Sequence, residues 1–253
     1  MRRVKFTVTY DGRHFNGWQI QPGVPNVQES LEKALETFFG EFTRIHGSGR
    51  TDSGVHALGQ VFHVDVPESC EIPERKWSLA LNTRLPGSVR VLDATYVSTD
   101  FHARFSATGK TYRYILSQSK IFNPFDRGLV WNEPRPLNIP AMESGMHYFQ
   151  GEHDFRAFAA LRGNEPNPIP GDYFKRTIFD CHLDKQDDRI ILTFSGSGFL
   201  YKMVRLMTGA IHGLGTGKLT QEDFIQLIHS PEKRKSPLCA PADGLYLVCV
   251  NYQ

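Results

Sequence analysis

The segment that organises the chain is GSGRTDSGVHALGQVFH, residues 47–63. Its polar centre, residues 50–53, lies between glycines, which permit tight backbone paths and let a ligand approach the main chain closely. The residues just before the segment, 42–46, are typical of a short strand. Residues 60–66 alternate between two faces, which predicts a second strand. We therefore expect Asp52 on a glycine-rich loop between two strands, a common place for functional side chains.

The first hundred residues predict the element order β-α-β-β-α-β. One helix is expected to begin at the cap residue Asn26, with Glu29 as its capping partner, and to end at Gly40. A second helix is expected to open at Pro73. Patterns of apolar residues predict four strands, at residues 4–10, 42–46, 60–66 and 89–97. This order is typical of ferredoxin-like domains and RNA-recognition motifs.

The second half of the chain predicts the same order, without obvious sequence similarity to the first. Its expected strands are residues 110–116, 177–183, 189–195 and 245–252. Its expected helices are residues 138–150, 199–214 and 220–228. We therefore predict an α+β protein of two tandem ferredoxin-like, RRM-like domains, residues 1–104 and 105–253. They are expected to form a pseudo-twofold sheet with a central cleft, the default place for a substrate.

Composition excludes several classes of protein. Hydrophobic residues make up 40% of the 253 residues, and no run approaches the roughly 20 apolar residues of a membrane span. The first residues lead directly into a strand pattern, so no signal peptide is expected. The four cysteines include no C-x-x-C pair, which argues against a zinc ribbon and favours reduced thiols in a cytoplasmic protein. Net charge is only +2, so any basic surface must come from local clustering.

Aspartate, serine and glycine are also ordinary turn residues, and composition alone favours a plain turn around Asp52. The whole string is more specific, because GRTDSGVHA at residues 49–57 resembles the active-site motif of the TruA-type tRNA pseudouridine synthases. Ser53 stands where that family more often has alanine. Further segments that resemble the family occur in the right order along nearly the whole chain, at residues 10–12, 17–19, 100–107, 112–114, 199–205 and 240–247.

The resemblance implies an isomerase that converts uridine to pseudouridine at positions 38, 39 and 40 of the tRNA anticodon stem-loop. It also implies a homodimer. The uracil leaves C1′, rotates and rejoins through C5, so no metal or other cofactor is needed. The target base must first leave its stack. Asp52 would be the catalytic nucleophile, and the sequence leaves open whether it attacks C1′ or C6 or acts through a glycal intermediate.

The resemblance also implies roles for other site residues. Arg50 would fill the gap left by the flipped base and grip phosphate. Arg205 would keep Asp52 ionised, because a neighbouring guanidinium lowers a carboxylate pKa; the alternative is an exposed helix arginine. Tyr112 would stack on the uracil and serve as a proton acceptor; the alternative is a core tyrosine on a strand face. We expect substrate contacts from Arg50, Thr51, Tyr112 and Leu245, and RNA contacts from Arg13, Arg50, His102, Arg104 and Lys202.

Some features depart from the family pattern or from other motifs. Lys202 stands where a histidine is common, and Leu206 stands where an asparagine is common. We expect these two differences to influence which RNA the protein accepts. Residues 215–218 suggest a P-loop but lack its flanking residues, a glycine at 212 and a serine or threonine at 219. His56 is expected in the loop and His63 in the strand, too far apart for a helical metal pair.

Three alternatives to the tRNA-modifying enzyme follow from the sequence. The first is a catalytically silent RNA-binding module of paired RRM-like domains, against which the intact Arg50 and Asp52 argue. The second is a synthase of the same chemistry that acts on another RNA. The third, a metal-dependent hydrolase, lacks a convincing set of ligands.

Overall fold

The computed structural model describes residues 1–253 as a mixed α+β chain. Its strands are β1 (Arg2–Tyr10), β2 (His46–Gly47), β3 (His56–Val66), β4 (Val89–Val97), β5 (Ala107–Ser117), β6 (Trp131–Asn132), β7 (Gly151–Asp154), β8 (Lys175–Gln186), β9 (Arg189–Gly196) and β10 (Leu245–Tyr252). Its helices are α1 (Val27–Phe39), α2 (Trp77–Asn82), α3 (Ile139–His147), α4 (Met203–Gly215) and α5 (Gln221–His229). The chain divides into two compact units, residues 1–108 with 246–253 and residues 109–245.

The first unit is built on β1, which pairs antiparallel with β3 on one side and β4 on the other. The short β2 pairs antiparallel with β3, and β10 pairs parallel with it. Phe6 of β1 lies opposite Phe62 of β3, and the two buried rings stack with centroids 4.9 Å apart. The ring of Trp77 meets Phe6 edge-on at 5.6 Å, which joins α2 to the same core.

The first helix begins and ends where its sequence predicts. The side-chain oxygen of Asn26 accepts the Glu29 backbone N–H at 2.9 Å, which satisfies one of the donors that a helix start leaves unpaired. Gly40 ends the helix with φ of 74°, the left-handed conformation that glycine adopts without steric cost. Leu31 and Leu35 are fully buried, so one face of α1 packs into the core.

The prediction of a strand at residues 42–46 is wrong, because only His46–Gly47 form a strand in this region. The buried carboxylate of Glu32, on α1, accepts the Ile45 backbone N–H at 3.2 Å and the Arg44 guanidinium at 3.1 Å. A backbone donor engaged by a helix carboxylate cannot also serve a ladder of strand hydrogen bonds. The strand predicted from residue 60 begins at His56, so His56 is a strand residue and not part of the loop.

The second unit is built on β5, which pairs antiparallel with β9 and parallel with the two-residue β6. Next to β9 lies β8, and next to β8 lies β7, both antiparallel. The turn between β8 and β9 places Asp187 at φ of 51°. The core under this sheet includes the fully buried side chains of Phe149 and Phe194, with Met142 and Met207 from α3 and α4.

Two helices of this unit differ from their predicted bounds. The helix predicted from Phe199 begins at Met203, because Lys202 has φ of 60° and a residue in that left-handed conformation cannot continue a right-handed helix. The helix predicted to end at Gln150 ends at His147. Side-chain oxygens of Asn138 and Thr220 accept backbone N–H groups at the starts of α3 and α5, as expected for helix caps.

The mixed α+β class is confirmed, and each unit contains both parallel and antiparallel pairs. Four parts of the fold prediction stay predictions: the tandem ferredoxin-like domains, the pseudo-twofold relation, the cleft, and the domain bounds 1–104 and 105–253. The compact units group residues 246–253 with the first half of the chain. None of the five helices combines the length and the apolar character that crossing a membrane requires.

Candidate active site

Asp52 lies on the loop between β2 and β3, and backbone hydrogen bonds hold this loop on both sides of the aspartate. The Trp18 N–H donates to the Thr51 carbonyl at 3.1 Å, and the Gly54 N–H donates to the Phe15 carbonyl at 3.4 Å. Within the loop, the Val55 N–H donates to the Asp52 carbonyl at 3.1 Å. The expected position of Asp52 on a loop supported by strands is confirmed.

Glycine is required where the loop before α1 crosses the Asp52 loop. A Cβ atom on Gly17 would lie 2.7 Å from the Thr51 carbonyl oxygen, closer than van der Waals contact allows. Gly17 also has φ of 92°, a conformation that other residues rarely adopt. The two loops can therefore approach closely enough for the backbone bond from Trp18 to Thr51.

Side chains along the loop differ in exposure. Arg50 and Ser53 are exposed, Thr51 is buried and Asp52 is half-buried. The hydroxyl of Thr51 lies 2.8 Å from that of Tyr10, the last residue of β1, and burial raises the pKa of Tyr10 to about 12. A buried threonine thus anchors the loop, and Asp52 beside it is partly exposed. Carboxylates so placed can act as nucleophiles or as general bases.

His56 connects the end of the Asp52 loop to two other segments. Its Nδ1 accepts the Gly12 N–H at 3.1 Å and lies 3.4 Å from a carboxylate oxygen of Asp11. Its ring stacks on that of Tyr246 with centroids 4.6 Å apart. His56 is therefore a buried structural residue that joins the start of β3 to β10 and to the loop after β1.

Arg13, predicted to bind RNA, forms an ion pair within its own loop. Its Nε and Nη2 atoms donate to the Asp11 carboxylate at 3.0 and 2.6 Å. Burial acts to raise the pKa of Asp11, but the hydrogen bonds from Arg13 hold that pKa below its ordinary value. The Arg13 side chain is 42% exposed, so its guanidinium is held in a defined orientation at the surface.

His102 and Arg104 lie on a turn that follows β4. The Nδ1 atom of His102 accepts the Arg104 N–H at 3.1 Å, which orients the imidazole. Arg104 is exposed, and its guanidinium lies 5.6 Å from the ring centroid of Phe105. Phe105 is 75% exposed, so this turn presents a cation and an aromatic ring together to solvent. Sequence reasoning did not single out Phe105.

Tyr112 lies on β5 of the second unit, opposite Phe194 of β9. It is half-buried, and its ring meets that of Phe199 edge-on at 5.0 Å. Tyr114, two residues along on the same face, is fully buried and donates its hydroxyl to the Pro241 carbonyl at 2.8 Å. Tyr114 is therefore the core tyrosine of this face, whereas Tyr112 is only partly buried.

Arg205 lies in the first turn of α4 and is tied to the segment that precedes β10. Its Nε donates to the Ala240 carbonyl at 2.7 Å, and the Ala240 N–H donates to the Arg205 carbonyl at 3.0 Å. The first bond restrains the guanidinium, and the second holds the backbone of Arg205 to the same segment. The alternative of a freely exposed helix arginine is wrong, because the side chain is half-buried and hydrogen-bonded.

Lys202 and Leu245 complete the predicted set in the second unit. Lys202 immediately precedes α4, and its Nζ lies 5.3 Å from the ring centroid of Tyr201. Leu245 is buried at the start of β10, and its N–H donates to the Ala242 carbonyl at 2.9 Å. No group of three or more His, Cys, Asp or Glu residues in the chain is arranged to hold a metal ion.

Sequence reasoning missed the buried polar residues that hold the Asp52 loop, above all Ser48 and Gln60. They bond to each other across twelve residues of chain. No local pattern in the sequence marks such a pair. Tyr10 was identified as part of a strand and of a family motif, but its bond to Thr51 was not foreseen.

Comparison with known proteins agrees with the motifs. The family model described as tRNA pseudouridine synthase matches residues 7–106 and 146–253. A tRNA pseudouridine synthase A of Akkermansia muciniphila is 56% identical over 253 residues, all of this chain and 96% of that protein. A tRNA pseudouridine synthase A 1 of Bacillus cereus is 42% identical over 253 residues, all of this chain and 99% of that protein.

The family match covers most of the chain, including the Asp52 loop and α4 with Arg205. The two relatives align along its whole length. The chain therefore belongs to the TruA family of tRNA pseudouridine synthases, which are isomerases.

Proposed function

We propose that this enzyme converts uridine to pseudouridine at positions 38, 39 and 40 of the tRNA anticodon stem-loop, with Asp52 as its nucleophile. The observation that carries the proposal is the geometry of the Asp52 loop. A half-buried carboxylate follows a buried, hydrogen-bonded threonine on a loop whose backbone is held from both sides. The names of the relatives support tRNA as the substrate.

The reaction is an isomerisation in which the C1′–N1 bond breaks and a C1′–C5 bond forms. Atoms and electrons balance within the nucleotide, except that the C5 proton leaves and N1 gains one. Asp52 can serve by attack at C1′, by attack at C6 or by removing a sugar proton to form a glycal. A carboxylate that forms a covalent intermediate divides one difficult step into two easier ones.

Two arginines have separate proposed roles: Arg50 binds the RNA, and Arg205 assists Asp52. Arg50 is exposed two residues before Asp52, so it can contact phosphate or occupy the space of an extruded base. For Arg205, the resemblance implies stabilisation of the ionised aspartate. The Nε bond to Ala240 supports that role, because it restrains the guanidinium, whose terminal N–H groups can then be directed at a carboxylate.

Tyr112 is proposed to stack on the target uracil and to accept its C5 proton. Tyr112 is half-buried and its ring packs edge-on against Phe199, which supports a stacking role. Lys202, His102, Arg104 and Arg13 are proposed to contact the RNA. The exposed guanidinium of Arg104 beside an exposed phenylalanine suits that role, because Arg and aromatic side chains both stack on bases.

The decisive experiment replaces Asp52 with asparagine, which keeps the shape of the side chain and removes its nucleophilicity. We expect Asp52→Asn to abolish pseudouridine formation while tRNA binding survives. Ser53→Ala is the matched control in the same loop, because Ser53 is exposed, and it should keep its activity. A rate for Asp52→Asn within about tenfold of wild type, or roughly 1.4 kcal/mol of barrier, would reject the assignment.

The choice of RNA and the assembly need separate tests. Mapping of pseudouridines in total RNA from a deletion strain identifies the modified positions, and their loss outside tRNA would favour another substrate. The homodimer implied by the resemblance predicts a mass of about twice 28.7 kDa in solution, measured by light scattering. Fractionation of cells tests the expected cytoplasmic location.

A further inference from the structure

A fully buried amide lies directly behind the loop that carries Asp52. Gln60, on β3, has no exposed surface. Its Nε2 donates to the Gly49 carbonyl at 3.1 Å, and its Oε1 accepts the Ser48 hydroxyl at 2.6 Å and the Val61 N–H at 3.1 Å. A buried amide is costly unless its polar atoms are bonded, and this one is bonded through both.

Two partners of Gln60, Ser48 and Gly49, are the residues just before Arg50, and the Gln60 side chain also bonds to that of Tyr10. Ser48 is also fully buried, and its own N–H donates to the Val61 carbonyl at 2.7 Å. Residues 48 and 49 are therefore held to residues 60 and 61 by their backbone as well as by side chains. The next fixed point along the chain is Thr51, held by Tyr10 and Trp18.

We propose that Gln60 is a positioning residue for the nucleophile, through the carbonyl of Gly49. This inference rests on the proposed role of Asp52. The donor bond from Gln60 holds the loop at Gly49, shortly after β2, and the Thr51 bonds hold it at the residue before Asp52. Between those two anchors the chain has only Arg50, so the anchors together determine the directions of the Arg50 and Asp52 side chains.

A loss of the Gly49 anchor would let the loop shift while the strand stays intact. A misplacement of reacting groups by about 1 Å can cost about a hundredfold in rate. A residue that only fills the core would act differently. Its replacement would lower stability and leave the chemical step of the folded enzyme unchanged.

Two variants separate these roles. Gln60→Met keeps the approximate volume and removes every polar atom. Gln60→Glu keeps the acceptor for Ser48 and Val61 and loses the donor to Gly49 when it is ionised. We expect both to lower the single-turnover rate of pseudouridine formation by about tenfold to a hundredfold, with the Kd for tRNA changed by less than about threefold.

The pH profile of Gln60→Glu supplies a signature that a core-filling role would not show. A protonated carboxyl group has an O–H that can donate to the Gly49 carbonyl, whereas the carboxylate cannot. Burial favours the protonated form. The rate of Gln60→Glu relative to wild type should therefore rise as the pH falls, and that of Gln60→Met should not.

Asn82 is the matched control, because its amide makes the same kind of bond elsewhere in the same unit. Its Nδ2 donates to the Val91 carbonyl at 2.9 Å, and its Oδ1 accepts the Val91 N–H at 2.8 Å. Asn82→Leu should lower the melting temperature without lowering the single-turnover rate. All rates are measured below the melting transition of each variant.

The proposal is overturned if both Gln60 variants are folded and react within threefold of wild type, or if Asn82→Leu slows the reaction equally. If Gln60→Met does not fold, the rate and pH profile of Gln60→Glu decide. Full activity of Asp52→Asn is a distinct outcome, because it would overturn the nucleophile assignment on which the proposal rests. An inactive Asp52→Asn beside fully active Gln60 variants would overturn the positioning role alone.

Discussion

The hydroxyl of Tyr10 lies 2.8 Å from the hydroxyl of Thr51, and both side chains are buried. The last residue of β1 is thereby joined to the residue immediately before Asp52. Because the Trp18 N–H also donates to the Thr51 carbonyl, Thr51 is held through its side chain and its backbone. The first strand and its following loop therefore take part in placing Asp52.

Tyr10→Phe should lower both stability and activity. The change leaves the Thr51 hydroxyl buried with one partner fewer, which we expect to lower the free energy of unfolding by about 1–2 kcal/mol. Urea unfolding measures the loss. Thr51→Val in the Tyr10→Phe background completes a double-mutant cycle, and its further loss should be smaller than that of Thr51→Val alone. Additive losses would show that the two hydroxyls are not coupled.

The two arginines should differ in the salt dependence of tRNA binding. Arg50→Ala should weaken binding and reduce the slope of log K against log salt by about one phosphate contact. Arg205→Lys should leave that slope unchanged and lower kcat, because an ammonium cannot reproduce the planar fork of a guanidinium. Affinities at several salt concentrations and single-turnover rates provide the comparison. A slope changed by Arg205→Lys and not by Arg50→Ala would reverse the two roles.

His63 should make the protein less stable in mild acid. Its Nδ1 accepts the Ala103 N–H at 3.1 Å, and burial, with Arg3, His102 and His46 nearby and Asp65 opposing, lowers its pKa to about 4. The unfolded chain binds a proton near pH 6.5, so it is favoured as the pH falls from 6.5 towards 4. Over this pH range the free energy of unfolding should fall by on the order of 3 kcal/mol, since one pKa unit is worth about 1.4 kcal/mol.

His63→Asn tests this linkage, because an asparagine oxygen can still accept the Ala103 N–H. Urea unfolding at pH 7 and pH 5 should show a smaller difference for this variant than for wild type. His147→Asn is a control on an exposed surface of α3. Equal acid sensitivity in wild type and His63→Asn would refute the prediction.

Glu133 should stabilise the second unit as a buried carboxylate. Hydrogen bonds from Arg135, opposed by burial and assisted by His212, lower the pKa of Glu133 to about 2, and its Oε2 lies 2.7 Å from the His212 Nε2. Glu133→Gln should lower the free energy of unfolding by about 2 kcal/mol at pH 7, because it removes a buried carboxylate that accepts hydrogen bonds from Arg135 and His212. Thermal or urea unfolding measures this cost.

The pH dependence of stability distinguishes the effect of the Glu133 charge from an effect of side-chain packing. The stabilisation from ionised Glu133 is present above its ordinary pKa near 4.5 and is lost as the pH falls towards 2. The difference between wild type and Glu133→Gln should therefore narrow between pH 5 and pH 3. Glu152→Gln, at an exposed position on β7, should have little effect at either pH, and a constant gap for Glu133→Gln would argue against the charge.

Local signals predicted the elements well where the deciding interactions are local. The Asn26 cap and Gly40 set the ends of α1 through contacts within a few residues, and strand β4 has the predicted bounds. The prediction of a strand at residues 42–46 was wrong because the carboxylate of Glu32, 13 residues from Ile45 in sequence, accepts the Ile45 N–H. The predicted start of α4 was wrong because Lys202 adopts a left-handed conformation that its residue type does not indicate.

The sequence by itself determined the family, the class of fold and the position of Asp52 on a loop between strands, because these depend on a contiguous motif and on short-range periodicity. Only the tertiary structure decided what holds that loop. Tyr10, Trp18 and Gln60 reach it from other segments of the chain. A hydrogen bond between such distant residues follows from the packing of strands and loops, and it leaves no repeating pattern along the chain from which it could be predicted.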